Sequence, residues 1–284
     1  MKPKQASATA QAVAATRALE SEKPDGVRIC NDPLARKFTS RIAYSLIKRF
    51  AGYGERRSHG ALTFIACRCR YMDDYLRACL QSGTVQVVIL GAGLDSRAYR
   101  DDLLQENVKV FEVDHPATQT FKINRVEKIL GGLPVNVTYV PVDFNTETLD
   151  KLLSSGFDAS LKTLFIWEGV TQYLTAEAVD ATLEWIRLHV APGSAIIFDY
   201  MVLPPPELAP ARPERSVLHA LLVRLSGETR EYGIEKGQIE AFLGQRGFTN
   251  VVEADAGRLE HLYCTGPNQG RVVLVNSAIV HAET

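Results

Sequence analysis

Apolar positions along the chain fall into two rhythms. Up to about residue 80 they recur at helical spacing, in "ATAQAVAATRALESE", "NDPLARKFTSRIAYSLIKRF" and "HGALTFIACRCRYMDDYLRACLQSG". The second of these opens on Asn31 and Asp32 as cap with Pro33 in the first turn, and the third stops at Gly83, so each carries a helix signature. From Val85 the rhythm becomes strand alternating with helix. The apolar runs "VQVVIL", "VKVFEV", "VTYVPV", "KTLFIW" and "SAIIFDYM" are separated by the helical patterns "SRAYRDDLLQE", "PATQTFKINRVEKIL", "TETLDKLLSSG" and "TAEAVDATLEWIRLHV". Continuous Val, Ile and Phe runs predict strands buried on both faces, hence a parallel sheet covered by helices and joined by right-handed crossovers.

After the fifth run the pattern breaks. "LPPPELAPARPERS" (203–216) cannot form a central strand or a continuous helix, because proline fixes φ and lacks a donor. Residues 202–232 are therefore expected to be an insertion over the carboxyl edge of the sheet. A helix in "EKGQIEAFLGQRG" and strands at "FTNVVEA" and "RVVLVNSAIV" follow. The last two have no long helix between them, which favours an antiparallel pair. The organisation expected is an N-terminal helical cap (1–83) and an α/β core (84–284).

Composition narrows the class only modestly. The 284 residues are 46% hydrophobic and 23% charged with a net charge of -1, which suits a globular protein and gives no reason to invoke nucleic acid or an acidic membrane. No apolar run approaches the ~20 residues of a spanning helix. The opening residues lack the apolar segment of a secretory signal. Cys30, Cys67, Cys69, Cys79 and Cys264 match no zinc spacing. Reduced thiols, a cytoplasmic location and no metal are expected.

In a doubly wound sheet, ligands sit beyond the carboxyl ends of the strands, so the residues after each strand carry the chemistry. The first strand ends in Gly91-Ala92-Gly93, a tight turn that lets a ligand approach the backbone. The dinucleotide fingerprint would continue to a third glycine, but Arg97 stands there, preceded by Asp95 and Ser96. Asp114 ends the second strand about 20 residues on, where an acid accepts from ribose hydroxyls; capping the helix at Pro116 is the competing role. His115 next to it falls on the cofactor side. Asp143 and Phe144 end the third strand and suit an adenine, the carboxylate accepting from the exocyclic amine and the ring packing on Phe144; Asp143 could instead cap a helix near Thr146. Glu168, in "IWEGVTQYL", is a carboxylate in an apolar setting that needs a cationic partner, and a ligand ammonium would serve.

The missing glycine and the four acids Asp95, Asp114, Asp143 and Glu168 argue against a pyrophosphate. They favour a ligand with ribose, adenine and positive charge, and S-adenosylmethionine has all three. Its carboxylate needs a cation, for which Arg68 and Arg70 are available unless they pair with Asp73 and Asp74 along their own helix. Methyl transfer to a carboxylate needs no base. A hydroxyl acceptor would benefit from one, and Tyr173, Tyr200, Asp199 and His219 are the candidates, each with a structural role as its alternative. Arg97 would either pair with an acid such as Asp95 or Asp114 or face solvent.

Together "AATRALE", "NDPLA", "CRCRYMDDYL", "ILGAGLDSRAYR", "FEVDHP", "VPVDF", "IWEGVTQYL" and "FDYM" resemble the leucine carboxyl methyltransferase-like (PPM-type) S-adenosylmethionine-dependent methyltransferases, and more closely their bacterial branch of polyketide-type O-methyltransferases. The resemblance implies a class I, Rossmann-like seven-stranded sheet in the order 3-2-1-4-5-7-6 with the last strand antiparallel. It implies Arg68 for the cofactor carboxylate, Gly91 beneath the methionine portion, Asp114 for the ribose, Asp143 and Phe144 for adenine, and Glu168 beside the cofactor. It also implies a small, polyketide-like acceptor. Cys69 stands in "RCR" where this branch often has threonine. An NAD-dependent oxidoreductase, a non-catalytic nucleoside-binding module and a protein C-terminal carboxyl methyltransferase are the competing functions. Oligomeric state is not legible.

Overall fold

The computed structural model describes residues 8–57, 59–100, 104, 108–204 and 232–284. Most of the expected insertion, and His219 with it, lies outside the described residues.

Each apolar run after Val85 becomes a strand: β1 (Gln86–Leu90), β2 (Lys109–Asp114), β3 (Val137–Pro141), β4 (Thr163–Trp167) and β5 (Ala195–Leu203). Their side chains alternate between two cores. Val87, Ile89, Leu164, Ile166 and Ile197 join one, while Val88, Leu90, Phe165, Trp167 and Phe198 join the other. Both faces are therefore covered, which is why the runs carry no polar alternation. β1 pairs in parallel with β2 and β4, β2 with β3, and β4 with β5. A two-residue strand, β6 (Ile234–Glu235), adds in parallel to the end of β5. β7 (Thr249–Ala254) and β8 (Ser277–Glu283) follow, and β8 runs antiparallel between β5 and β7.

The main sheet order is thus β3-β2-β1-β4-β5-β8-β7. Apart from the extra number taken by β6, which the sequence did not reveal, this is the expected 3-2-1-4-5-7-6 order. β8 begins six residues later than its apolar run, because Arg271–Asn276 lead into it without pairing.

The helices depart from expectation in informative places. Helix α1 (Ala8–Ser21) matches its pattern. The single helix expected over "NDPLARKFTSRIAYSLIKRF" is two, α2 (Ala35–Phe38) and α3 (Arg41–Arg57). The chain is extended at Thr39, and the Ser40 hydroxyl accepts from the Ala43 N–H to start α3 afresh. Asp32 starts α2 as expected, accepting at Oδ1 from the N–H groups of Leu34 and Ala35. Helix α4 (Ala61–Gln81) then leads into β1. After β1 the described residues include α5 (Arg97–Arg100), and after β2 comes the helix α6 (Pro116–Leu130).

The helix expected from Thr146 is reduced to α7 (Lys151–Ser154). The backbone turns at 143–147, where the Asp143 carbonyl accepts from Thr146 and Glu147. Helices α8 (Ala176–Leu188), α9 (Ile239–Gly244) and α10 (Ala256–Tyr263) complete the cover. All five cysteines are buried free thiols. Among the described residues no helix is long and apolar enough to cross a membrane, and no His, Cys, Asp and Glu cluster could hold a metal ion.

Candidate active site

A cavity of about 300 Å³ opens beyond the carboxyl ends of β1 to β4. Arg68, Gly91, Ala92, Gly93, Asp114, His115, Asp143, Phe144 and Glu168 all line it, as do Asp95 and Tyr173. Parallel strands deliver their last residues to one edge, so groups from Gly91 to Glu168 converge there, and α4 adds Arg68.

One side of the cavity is built from turns. Gly91 sits at φ +63°, and a Cβ there would lie 2.4 Å from Cγ2 of Val170, so the turn admits no side chain. The Gly93 N–H donates to Asp114 Oδ2 at 2.6 Å, and the His115 N–H donates to Asp114 Oδ1 at 2.7 Å. Burial pushes the Asp114 carboxyl up, against the pull of these two bonds. Each oxygen retains a further acceptor site for a ribose hydroxyl. Asp114 does not cap α6. His115 does, its Nδ1 accepting from the Ala117 N–H, which leaves its half-exposed ring at the cavity edge.

Asp143 Oδ1 accepts from the Asn145 N–H across the turn, and with no helix at Thr146 its capping role falls away. The ring of Phe144 lies stacked 6.2 Å from that of Trp167, with its other surroundings in the cavity wall.

The other side is a buried ionic network. Arg97, at the position of the missing glycine, is 1% exposed. It donates from Nη1 to Asp95 at 2.5 Å and to Glu168 at 2.6 Å, and from Nε to Asp73 at 2.7 Å. The Asp95 pairing was one of its expected roles; solvent exposure is excluded. Arg68 donates from Nε to Glu168 Oε1 at 3.2 Å and from Nη1 to Asp199 Oδ2 at 2.5 Å. Arg70, by contrast, pairs with Asp74 on the exposed face of α4.

Arg17 of α1 completes the network. Its Nε donates to Asp32 at 3.0 Å, its Nη2 donates to the Leu94 carbonyl at 2.7 Å, and its Nη1 lies 3.9 Å from Glu168. Burial alone would raise the Glu168 carboxyl, but Arg97, Arg68 and Arg17 outweigh it and hold it down at about 2. The cation that Glu168 requires is therefore supplied by the protein and not left to a ligand ammonium.

The same network corrects the picture of an acidic rim. Asp95 and Glu168 are neutralised by arginines, and Arg17 and Arg68 themselves line the cavity. What disfavours a pyrophosphate is local geometry. Arg97 stands where the third glycine of a phosphate turn would be, and its buried side chain is committed to Asp73, Asp95 and Glu168.

Tyr173, on a short 3-10 turn (Thr171–Tyr173), lines the cavity. Tyr200 does not; its hydroxyl donates to Glu253 at 2.5 Å, between β5 and β7. Asp199 is not a lining residue either, both its oxygens being engaged. Arg17, Thr9, Ala10 and Val13 of α1 line the cavity and were not anticipated. An arginine in the otherwise small and apolar helix "ATAQAVAATRALES" was the available signal.

The sheet order and the strand-end acid hydrogen-bonded to the glycine turn are those of a class I S-adenosylmethionine-dependent methyltransferase. Residues 10–187 match the family model described as leucine carboxyl methyltransferase, and the chain belongs to that family. A Bacillus subtilis (strain 168) relative named "Putative S-adenosyl-L-methionine-dependent methyltransferase YktD" is 42% identical over 134 residues, covering 47% of this chain and 44% of that protein. A Mycobacterium sp. (strain KMS) relative with the same description, without the name YktD, is 31% identical over 279 residues, covering 88% of this chain and 86% of its own. Among solved structures, an S-adenosylmethionine-dependent methyltransferase from Mesorhizobium loti shares the fold. It has a TM-score of 0.50 at 17% identity, covering 74% of this chain and 96% of its own.

Proposed function

We propose that the protein transfers the methyl group of S-adenosylmethionine to a carboxylate or hydroxyl oxygen of a small apolar or aromatic metabolite, in the cytoplasm. The observation that carries this reading is the order of groups around the cavity. Asp143 with Phe144, Asp114 and Gly91 stand at the ends of β3, β2 and β1, which are neighbours in the sheet, and Arg68 pairs with Glu168 after β4, the order that adenine, ribose, sulfonium and carboxylate would require. In this reading Asp114 accepts from the ribose hydroxyls. Phe144 covers the adenine, and the Arg68 guanidinium takes the amino-acid carboxylate as a charged fork.

Bound S-adenosylmethionine supplies a methyl group already activated by the sulfonium. The chain's residues then have to align the acceptor oxygen with the C–S bond and keep water out. Val13, Leu94, Val170 and Leu174 make the remaining wall mostly apolar, which supports an apolar or aromatic acceptor. Tyr173 is the candidate base for a hydroxyl acceptor. The five buried free thiols fit a reducing compartment.

The family description names a carboxyl acceptor, so the carboxylate of a peptide C-terminus is the second reading. The experiment is transfer of label from S-adenosylmethionine into a small-metabolite extract and, separately, into peptides with free C-termini, with products followed by mass. Labelled peptide alone would replace the small-molecule reading by the second. Binding of NAD without binding of S-adenosylmethionine would overturn both. A Tyr173→Phe variant separates the acceptors: a hydroxyl acceptor is methylated roughly a hundredfold more slowly, and a carboxylate at an unchanged rate.

A further inference from the structure

Asp199 stands midway along β5, 5% exposed and behind the cavity wall. Its Oδ2 accepts from Arg68 Nη1 at 2.5 Å, its Oδ1 accepts from the Gly169 N–H at 2.5 Å, and its carbonyl accepts from the Thr171 hydroxyl at 2.7 Å. One residue therefore ties the arginine of α4 to the loop that follows β4. That loop bears on Arg68 at Gly169 and on the cofactor turn at Val170. The Arg68 guanidinium lies over Gly169, whose Cβ position is 3.3 Å from Nη1, and Val170 packs on Gly91.

A guanidinium has five N–H donors. Arg68 spends Nε on Glu168 and one donor of Nη1 on Asp199, and its Nη2 lies 3.1 Å from Glu168. Among the described residues one N–H on each terminal nitrogen has no further partner, which leaves two donors for a carboxylate. Glu168 is shared with Arg97 and Arg17, whereas Asp199 forms an ion pair with Arg68 alone among the described residues.

We propose that Asp199 is a positioning residue: it fixes the rotation of the Arg68 guanidinium so that its two remaining donors face the carboxylate of S-adenosylmethionine. This rests on the reading of Arg68 given above. Asp199 acts through Arg68 and touches neither methyl donor nor acceptor.

The test is a ratio. Affinities for S-adenosylmethionine and for decarboxylated S-adenosylmethionine, which keeps adenosine, sulfonium and ammonium, are measured by calorimetry in wild type and in Asp199→Asn. Asparagine can still accept from Gly169 with its oxygen but presents its amide N–H groups to Arg68. Asp199→Asn is expected to lose roughly tenfold or more in affinity for S-adenosylmethionine and little for the decarboxylated analogue, with KM raised and kcat at saturation nearly kept. The ratio does not depend on the fraction of protein folded, and a role confined to stability would move both affinities together. Asp199→Glu, which keeps the charge but displaces it by a methylene, is the second variant and should lower the same ratio. An unchanged ratio in both variants overturns the proposal. A wild type that binds S-adenosylmethionine but with no preference over the analogue overturns Arg68 as its carboxylate partner. A wild type that binds neither ligand overturns the functional reading itself.

Discussion

The two sides of the cavity are built by opposite means. On the side proposed for adenosine, each group follows its own strand and is held by its nearest backbone neighbours: Asp114 by Gly93 and His115, Asp143 by Asn145. On the side proposed for the methionine portion, Arg17, Arg68, Arg97, Asp95, Glu168 and Asp199 come from α1, α4, the first turn, β4's exit and β5, and hold one another. On the first side Asp143 and His115 are partly exposed and of the three only Asp114 is buried, held by two backbone N–H groups. The second is a set of buried charges, each satisfied only while the others stay in place. Binding on the first side can be altered without endangering the fold, whereas on the second the site and the fold are the same structure.

The sharpest way to break this comparison is Arg97→Met. Methionine fills much of the volume but strands Asp73, Asp95 and Glu168 without a shared partner. Removing one member of a buried charge network costs about 3–5 kcal/mol, measured by urea unfolding. A loss below about 1 kcal/mol would show that the network is dispensable to the fold. The next effect is one of pH. Glu168 is held at about 2 against an ordinary 4.5, so its contribution is fully present above 4.5 and is lost as pH falls through about 2. The shift corresponds to on the order of 3 kcal/mol. Wild-type stability should therefore fall between pH 5 and pH 2 more steeply than that of Glu168→Gln, which starts lower. Parallel curves would remove the assignment.

Asp114→Ala tests the other side. It removes the acceptor proposed for the ribose while the network stays intact. Affinity for S-adenosylmethionine should fall roughly tenfold to a hundredfold, the worth of one or two bonds to a charged group. Unfolding free energy should drop less than in Arg97→Met. Wild-type affinity in this variant would dissociate Asp114 from the ligand.

This division also governs what could be seen in the sequence. The strands, the sheet order and the positions of Asp114, Asp143 and Phe144 were legible because continuous apolar runs and strand-end acids are local patterns. Arg97 was visible only as a broken glycine motif. Its partners lie 24 residues back in Asp73 and 71 residues ahead in Glu168, and only the folded sheet brings them together. The same distance hides the cation that Glu168 requires: three arginines from separate elements fill the role for which a ligand ammonium would have served. The N-terminal helices were legible as a cap, but the role of Arg17 was hidden for the same reason, its partners Asp32, Leu94 and Glu168 lying far along the chain. Helix breaks were missed where a side chain restarted the backbone, as Ser40 does for α3.

The smallest expected effect is that of Phe144→Ala, and it separates the two sides most cleanly. Phe144 belongs to no ion pair and makes one stacked contact, with Trp167. Removing the ring takes away a packing surface for adenine, worth about 1 kcal/mol or roughly fivefold in affinity. Adenine is common to methyl donor and demethylated product and lies far from the reacting carbon. Affinities for S-adenosylmethionine, its decarboxylated analogue and S-adenosylhomocysteine should therefore fall by the same factor, and kcat at saturation should hold. Asp199→Asn is expected to discriminate between the first two ligands where Phe144→Ala does not. If Phe144→Ala instead weakens only ligands that carry a carboxylate, the ligand lies reversed in the cavity. The turn side would then hold the amino acid, and the arginine network would face the nucleoside.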